Sequence, residues 1–244
     1  MSNLVLIPTY NEAENIPGLV NAISSLSTPF DILVIDDNSP DGTASLVKEM
    51  MPSFPNLHIL ERPSKSGLGR AYIAGFDWAL QRDYKYICEM DADFSHDPDD
   101  LVRLWDACEN GGADLAIGSR YISGVNVVNW PMGRVLMSYI ASMYVRIITG
   151  MKIMDTTAGF KCYRRDVLMN INPGHIRLVG YGFQIEMKFT AWKLGYKIVE
   201  VPIIFTDRRA GTSKMSGGIF GEAMWGVLRM KITSIFRKPR RIVT

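Results

Sequence analysis

Cysteine is scarce in this chain: 244 residues hold three, Cys88, Cys108 and Cys162, with no C-x-x-C pair. So odd and scattered a set excludes a disulfide framework and reads as reduced thiols in a cytosolic setting. Histidine is equally sparse, and His58, His96 and His175 have no zinc-ligand spacing. No apolar stretch reaches the roughly 20 residues needed to cross a bilayer; residues 135–150 come nearest, and Arg146 interrupts them. Pro8 ends the first apolar run before a leader-type h-region forms, so no secretory signal is expected. Internal repeats and low-complexity linkers are lacking too. Net charge is only +2, and no acidic residue follows Glu222, whereas Arg229, Lys231, Arg237, Lys238, Arg240 and Arg241 do; the first 222 residues therefore carry −4. A mildly acidic body argues against a nucleic-acid protein, and the cationic end fits contact with an anionic surface.

What the chain does have is alternation. Strand-like runs at 4–7, 32–35, 57–60, 86–90 and 114–118 alternate with helix-like segments at 16–26, 44–51 and 69–82. That pattern predicts an α/β fold with a mainly parallel central sheet and helices on both faces. The runs are short and nearly continuous in apolar residues, as expected of strands covered on both sides, and Cys88 is expected in the core. A further helix is predicted from Asp97 to about Asn110, with Pro98 in its first turn. Leu136, Ile140, Met143 and Ile147 recur at helical spacing, and the stripe is expected to pack in the core. Residues 160–163 and 198–205 read as further strands, the second at an edge or a bulge because of Pro202. Residues 219–236 read as an amphipathic helix.

Chemistry gathers at strand ends. Asp91-Ala92-Asp93 closes the run Tyr86-Ile87-Cys88-Glu89-Met90, and Asp36-Asp37 closes residues 32–35. Paired carboxylates at the carboxyl edge of such a sheet present hard oxygen ligands for a divalent cation and a phosphorylated ligand. Pro8-Thr9-Tyr10-Asn11-Glu12 follows the first strand. Tyr10 offers a ring for stacking a base and Glu12 offers acceptors for base N–H groups; the alternative is a plain turn with Asn11 capping the next helix. Asp37 is a candidate for ribose hydroxyls, whereas Asp41-Gly42-Thr43 suits a turn and helix cap. Gly67-Leu68-Gly69 is followed by Tyr72 where a dinucleotide fingerprint needs glycine, which excludes a nicotinamide or flavin site and leaves a tight turn into a helix.

These strand-end motifs resemble the inverting family 2 glycosyltransferases of GT-A fold. Four later segments narrow the resemblance to the dolichyl- or polyprenyl-phosphate mannose synthases: Gly118-Ser119-Arg120-Tyr121, Asp155-Thr156-Thr157-Ala158-Gly159-Phe160-Lys161, Gly180-Tyr181-Gly182-Phe183-Gln184-Ile185-Glu186, and residues 205–214. The similarity runs from about Leu4 to Lys214. It implies that Pro8, Tyr10, Glu12, Ile35 and Asp37 hold the donor nucleoside. Asp91 and Asp93 would meet the diphosphate through Mg²⁺ or Mn²⁺, with Ala92 adding a backbone contact. Some members supply a glutamine ligand where this chain has Ser95. Arg120, Arg134 and Ser138 match positions for the acceptor phosphate, and Arg208 and Lys214 match basic residues that close over the phosphates. Asp93, Arg120, Arg208 and Lys214 thus form the implied catalytic set; Glu186 has no assigned partner.

The implied reaction moves mannose from GDP-mannose to dolichyl or polyprenyl monophosphate with inversion. The alternatives left open are another hexose such as glucose and, in a different class, a non-catalytic nucleotide-binding membrane scaffold. The expected organisation is a catalytic domain over 1–218 and an amphipathic basic segment over 219–244. That segment would lie on a membrane through Phe220 and Trp225, peripheral on the cytosolic face, and an accessory membrane subunit is compatible with it.

Overall fold

The computed structural model describes residues 2–178, 180–207, 217–236 and 241. Seven strands form one sheet in the order β3-β2-β1-β4-β7-β5-β8. They are β1 (Asn3–Thr9), β2 (Asp31–Asp36), β3 (Leu57–Glu61), β4 (Tyr86–Glu89), β5 (Leu115–Ser119), β7 (Lys161–Arg164) and β8 (Ile198–Pro202). A separate two-stranded ribbon joins β6 (Val127–Val128) to β9 (Phe205–Thr206).

Period-two alternation sorts the strand residues onto two faces. Leu4, Leu6, Leu33, Ile35 and Ile87 face one core with Tyr72 and Phe76 of α3 (Leu68–Leu80), Val167 of α6 (Arg165–Ile171) and Phe183 of α7 (Tyr181–Lys193). Val5, Ile7, Ile32, Val34 and Cys88 face the other, with Leu19 of α1 (Ile16–Ser24), Val47 of α2 (Thr43–Met50) and Leu104 of α4 (Asp100–Glu109). Helices on both faces thus cover the strands, as their near-continuous apolar runs require.

The sheet departs from parallel at β7, which runs antiparallel to both β4 and β5. Glu89 stands opposite Lys161 in that register. Both are fully buried, with Lys161 Nζ 3.1 Å from Glu89 Oε2. The run expected over 198–205 divides. Pro202 ends β8, an edge strand paired only with β5, because proline cannot donate to a ladder; Phe205 and Thr206 then pair with β6. The helix expected from Asp97 starts at Asp100, Pro98 lying in the preceding turn.

One expectation is overturned. The stripe Leu136, Ile140, Met143 and Ile147 on α5 (Met132–Thr149) faces outward, with Leu136 56% and Ile147 74% exposed. The buried side of α5 is Ser142, Val145 and Thr149, whose small side chains admit α8 (Gly217–Phe236). Tyr144 Oη donates to the Met224 carbonyl at 3.1 Å, and Lys231 Nζ to the Thr149 carbonyl at 2.8 Å. Periodicity marks an apolar face but not the medium it meets. On α8, Val227 is buried whereas Trp225 is 72% exposed; the Phe220 side chain lies outside the described residues.

Candidate active site

The chain runs from β1 outward through β2 to β3, then returns to place β4 on the other side of β1. This switch point parts the loops after β1 and β4 and opens a crevice at the carboxyl edge of the sheet. A cavity of about 500 Å³ lies there. Pro8, Tyr10, Glu12, Asp37, Asp91, Ala92, Asp93, Arg120 and Arg134, all singled out in the sequence, line it. Ile35 and Ser138 are not among its lining residues: Ile35 is fully buried in the core, and Ser138 Oγ accepts from Tyr121 Oη at 2.7 Å. Arg208 and Lys214 lie outside the described residues.

The two acidic residues at the end of β2, Asp36 and Asp37, have separate jobs. Asp36 accepts from Thr9 Oγ1 at 3.1 Å and from the Ser39 amide at 2.9 Å, tying the β1 and β2 loops together. Asp37 turns to the cavity and pairs with Arg62. Asn11 adopts a left-handed φ of 61° in the turn rather than capping α1, whose N-cap is Asn15. Asp41 accepts from the Thr43 amide at 3.1 Å and from the Ala13 amide at 3.0 Å. Burial works to raise its pKa, but the Thr43 hydroxyl and these amides outweigh it and hold the carboxyl below its usual value. Gly67 opens α3 at φ 96°, a conformation that L side chains rarely adopt. Lys65 Nζ sits 3.8 Å over the Tyr10 ring.

Asp91 and Asp93 sit in a tightly built loop. The Ser95 amide donates to Asp93 Oδ1 at 3.1 Å, and the Asp91 amide to His96 Nδ1 at 3.3 Å. Phe94, between them, has φ 58°, an outlier for a bulky residue and a sign that its surroundings over-determine the loop. The His96 ring stacks on Phe160 at 4.6 Å and meets Phe205 edge-on at 5.3 Å. Burial lowers its pKa to about 4; Asp93 pulls upward and Arg120 downward, so the ring is neutral at pH 7. The metal donor set fits a divalent ion that a ligand completes. Asp91 and Asp93 offer carboxylate oxygens on the cavity wall, and no group of three metal-binding side chains occurs among the described residues. Magnesium-type ions commonly take one or two carboxylates plus substrate phosphates.

Arg120, which lines the same cavity, is held by Asp155. Its Nε and Nη2 donate to the two carboxylate oxygens at 2.7 Å each, its amide donates at 3.0 Å, and Nη2 also reaches Thr157 Oγ1 at 2.8 Å. Burial alone would raise the Asp155 pKa; the Arg120 charge and hydrogen bonds outweigh it and hold the carboxyl below its usual value. Glu200 supports this loop by accepting from the amides of Met154 and Asp155 at 2.7 and 2.9 Å and from Ser119 Oγ at 2.7 Å. Arg134 Nη1 pairs with Asp207 at 2.9 Å, and its guanidinium lies 4.1 Å from the Trp130 ring centroid.

Sequence reasoning missed the polar layer beneath the acidic loop. Gln184 lines the cavity, accepts from Lys161, and donates to Glu89 Oε2 at 2.9 Å; Tyr163 Oη donates to Glu89 Oε1 at 2.9 Å. Lys188 Nζ donates to the Ala158 carbonyl at 2.6 Å. Burial depresses both lysines; Glu89 partly offsets this for Lys161, whereas the Lys161 charge adds to it for Lys188. The available signal was charge within strands otherwise apolar: Glu89 and Lys161 in facing runs. Glu186 pairs with neither cavity arginine; its Oε2 accepts from the amides of Arg177 and Leu178 at 3.0 and 2.8 Å.

An α/β domain with an Asp-Ala-Asp triplet at its switch point and two arginines lining the same crevice has the form of a GT-A glycosyltransferase. The chain belongs to glycosyl transferase family 2, whose sequence model matches residues 4–171. It is 48% identical over 241 residues to the polyprenol monophosphomannose synthase of Mycolicibacterium smegmatis, covering 98% of this chain and 91% of that one. It is also 48% identical over 229 residues to the undecaprenyl-phosphate mannosyltransferase of Micrococcus luteus, covering 94% and 93%. Among solved structures, glucosyl-3-phosphoglycerate synthase from Mycobacterium tuberculosis, in complex with Mn²⁺, UDP and glucosyl-3-phosphoglycerate, matches with a TM-score of 0.70 at 18% identity over 94% of this chain and 79% of that one. A mannosyltransferase from Pyrobaculum calidifontis, in complex with GDP-Man and Mn²⁺, matches with a TM-score of 0.57 at 15% identity over 96% and 74%.

Proposed function

We propose that the protein transfers mannose from GDP-mannose to a polyprenyl monophosphate at a membrane surface, inverting the anomeric centre. The observation that carries this reading is the convergence of Asp91, Asp93, Arg120 and Arg134 on one cavity. High identity to two enzymes named for polyprenyl-phosphate mannosylation supports the substrate pair. Tyr10 provides a stacking surface for the base, Glu12 accepts from base N–H groups, and Asp37 from ribose hydroxyls. Asp91 and Asp93 would hold Mg²⁺ or Mn²⁺ against the diphosphate. A divalent ion held there would supply charge stabilisation to the leaving GDP.

The acceptor arrives as its own nucleophile. A phosphate monoester, with a second pKa of about 6, is largely dianionic at neutral pH and needs aiming rather than deprotonation. Asp155 fixes the Arg120 fork and Arg134 adds a second planar donor. Arg208 and Lys214, if they close over the phosphates as the family pattern implies, add positive charge to the leaving group.

The outward apolar stripe of α5, which begins beside Arg134, supports a membrane-lying surface, and α8, which packs on α5, also exposes Trp225, Ile232 and Ile235. No helix among the described residues is long and apolar enough to cross a bilayer. Docked through this face, the protein would be peripheral and would draw a phosphate headgroup toward Arg134 while the isoprenoid stays in lipid. The expected location is the cytosolic side, where nucleotide sugars are supplied. The test is incubation with a panel of labelled sugar nucleotides, Mg²⁺ or Mn²⁺ and undecaprenyl phosphate. Label from GDP-mannose in the organic phase supports the assignment; label from UDP-glucose alone replaces it.

A further inference from the structure

We infer that the indole N–H of Trp130 is a third hydrogen-bond donor to the acceptor's phosphate, a role that rests on the phosphate-acceptor reading above. Five buried side-chain polar atoms lack a hydrogen-bond partner among the described residues: Tyr72 Oη, Trp105 Nε1, Trp130 Nε1, Ser142 Oγ and Thr156 Oγ1. Of these residues only Trp130 lines the cavity. A buried donor left unpaired is costly, so natural structures seldom keep one without a ligand or water to meet it.

Its neighbours define that ligand's charge. The Arg134 guanidinium carbon lies 4.1 Å from the Trp130 ring centroid and that of Arg120 lies 5.5 Å away. Phe205 packs edge-on at 5.3 Å and fixes the ring. Pro131 follows at the N-cap of α5, and its carbonyl accepts the Arg134 amide at 2.9 Å, so ring and guanidinium are set by one turn of backbone. An oxyanion that reaches both arginines is therefore brought beside the Trp130 ring. The donors differ in what they give up. Arg120 already serves Asp155 and Arg134 already serves Asp207, so a phosphate must share or displace a carboxylate at each. Among the described residues the indole N–H has no such competitor, so it gains a bond outright.

The test uses the full chain labelled with ¹⁵N, in which five tryptophans give five indole signals and the one lost in Trp130→Phe is that of Trp130. Farnesyl phosphate is titrated in, with farnesol, inorganic phosphate and GDP-mannose as separate arms. The expected result is a downfield shift of the Trp130 indole proton with farnesyl phosphate and none with farnesol or GDP-mannose. A shift with inorganic phosphate at higher concentration supports the same donor role and assigns the remaining affinity to the isoprenoid. In turnover, Trp130→Phe keeps the ring and should raise KM for the lipid phosphate about 10- to 100-fold, with KM for GDP-mannose and Tm unchanged. An indole signal that stays in place at saturating farnesyl phosphate, or that follows farnesol or GDP-mannose, overturns the inference. Wild-type protein that binds farnesyl phosphate with the expected shift yet makes no lipid-linked mannose would sink the proposed reaction and leave this donor standing.

Discussion

Replacing Asp155 with asparagine tests whether the cavity is organised by a buried ion pair. Asp155 is fully buried, and the Arg120 side chain is 9% exposed. Removing one partner from such a pair costs about 3–5 kcal/mol, because the other charge is left uncompensated. Asparagine keeps one oxygen that can still accept from Arg120 Nε, so about 2–4 kcal/mol is expected. For a chain of this length that lowers Tm by about 5–15 °C. The pH dependence has a definite sign. The folded pKa of Asp155 is depressed below 3.8, so the pair's stabilisation is present at neutral pH and is lost as pH falls through the folded value. Urea unfolding of wild type and Asp155→Asn should give a constant gap from pH 5 to 8 that closes under more acid conditions. The variant should also raise KM for the lipid phosphate more than for GDP-mannose, since Arg120 loses its orientation. Equal stability at pH 7, or a gap that widens in acid, would show that the Asp155–Arg120 pair does not stabilise the fold.

Other predictions follow the same physics. Lys161→Met should destabilise by about 3–5 kcal/mol in urea, because Glu89 is left buried and unpaired, and adding Glu89→Gln should recover much of the loss. Asp93→Asn should lower kcat by about a thousandfold with the fold intact by circular dichroism, since a metal clamp contributes several kcal/mol to the transition state. Leu136→Ser with Ile147→Ser should reduce flotation with anionic liposomes at unchanged Tm, because both side chains already face outward; unchanged flotation would remove α5 from the membrane surface.

Much of this was legible because the strands that build the crevice are buried on both faces and end abruptly. Apolar runs stopped by Pro8, Asp36 and Asp91 give both the parallel sheet and the positions of the ligand-bearing loops. The antiparallel β7 was not legible: a four-residue strand does not announce its direction, which here is tied to the meeting of Glu89 with Lys161. Helix α7 was hidden for a related reason, since it buries Gln184 and Lys188 and so carries no apolar stripe against a polar face. The α5 stripe was visible but assigned to the wrong medium. His96 lacked zinc-ligand spacing, which excluded one role without disclosing its place beneath the acidic loop. Trp130 carried no signal, since its meaning comes from an unpaired N–H that only packing reveals.

Asp91 and Asp93 are proposed to grip a divalent ion against the donor's diphosphate. Anomalous diffraction from crystals soaked with GDP and Mn²⁺ tests it most directly. One manganese peak is expected within coordination distance of both carboxylates and of diphosphate oxygens, weakened or lost when GDP is omitted. A diphosphate bound away from these two residues, or manganese held elsewhere in the cavity, would contradict it.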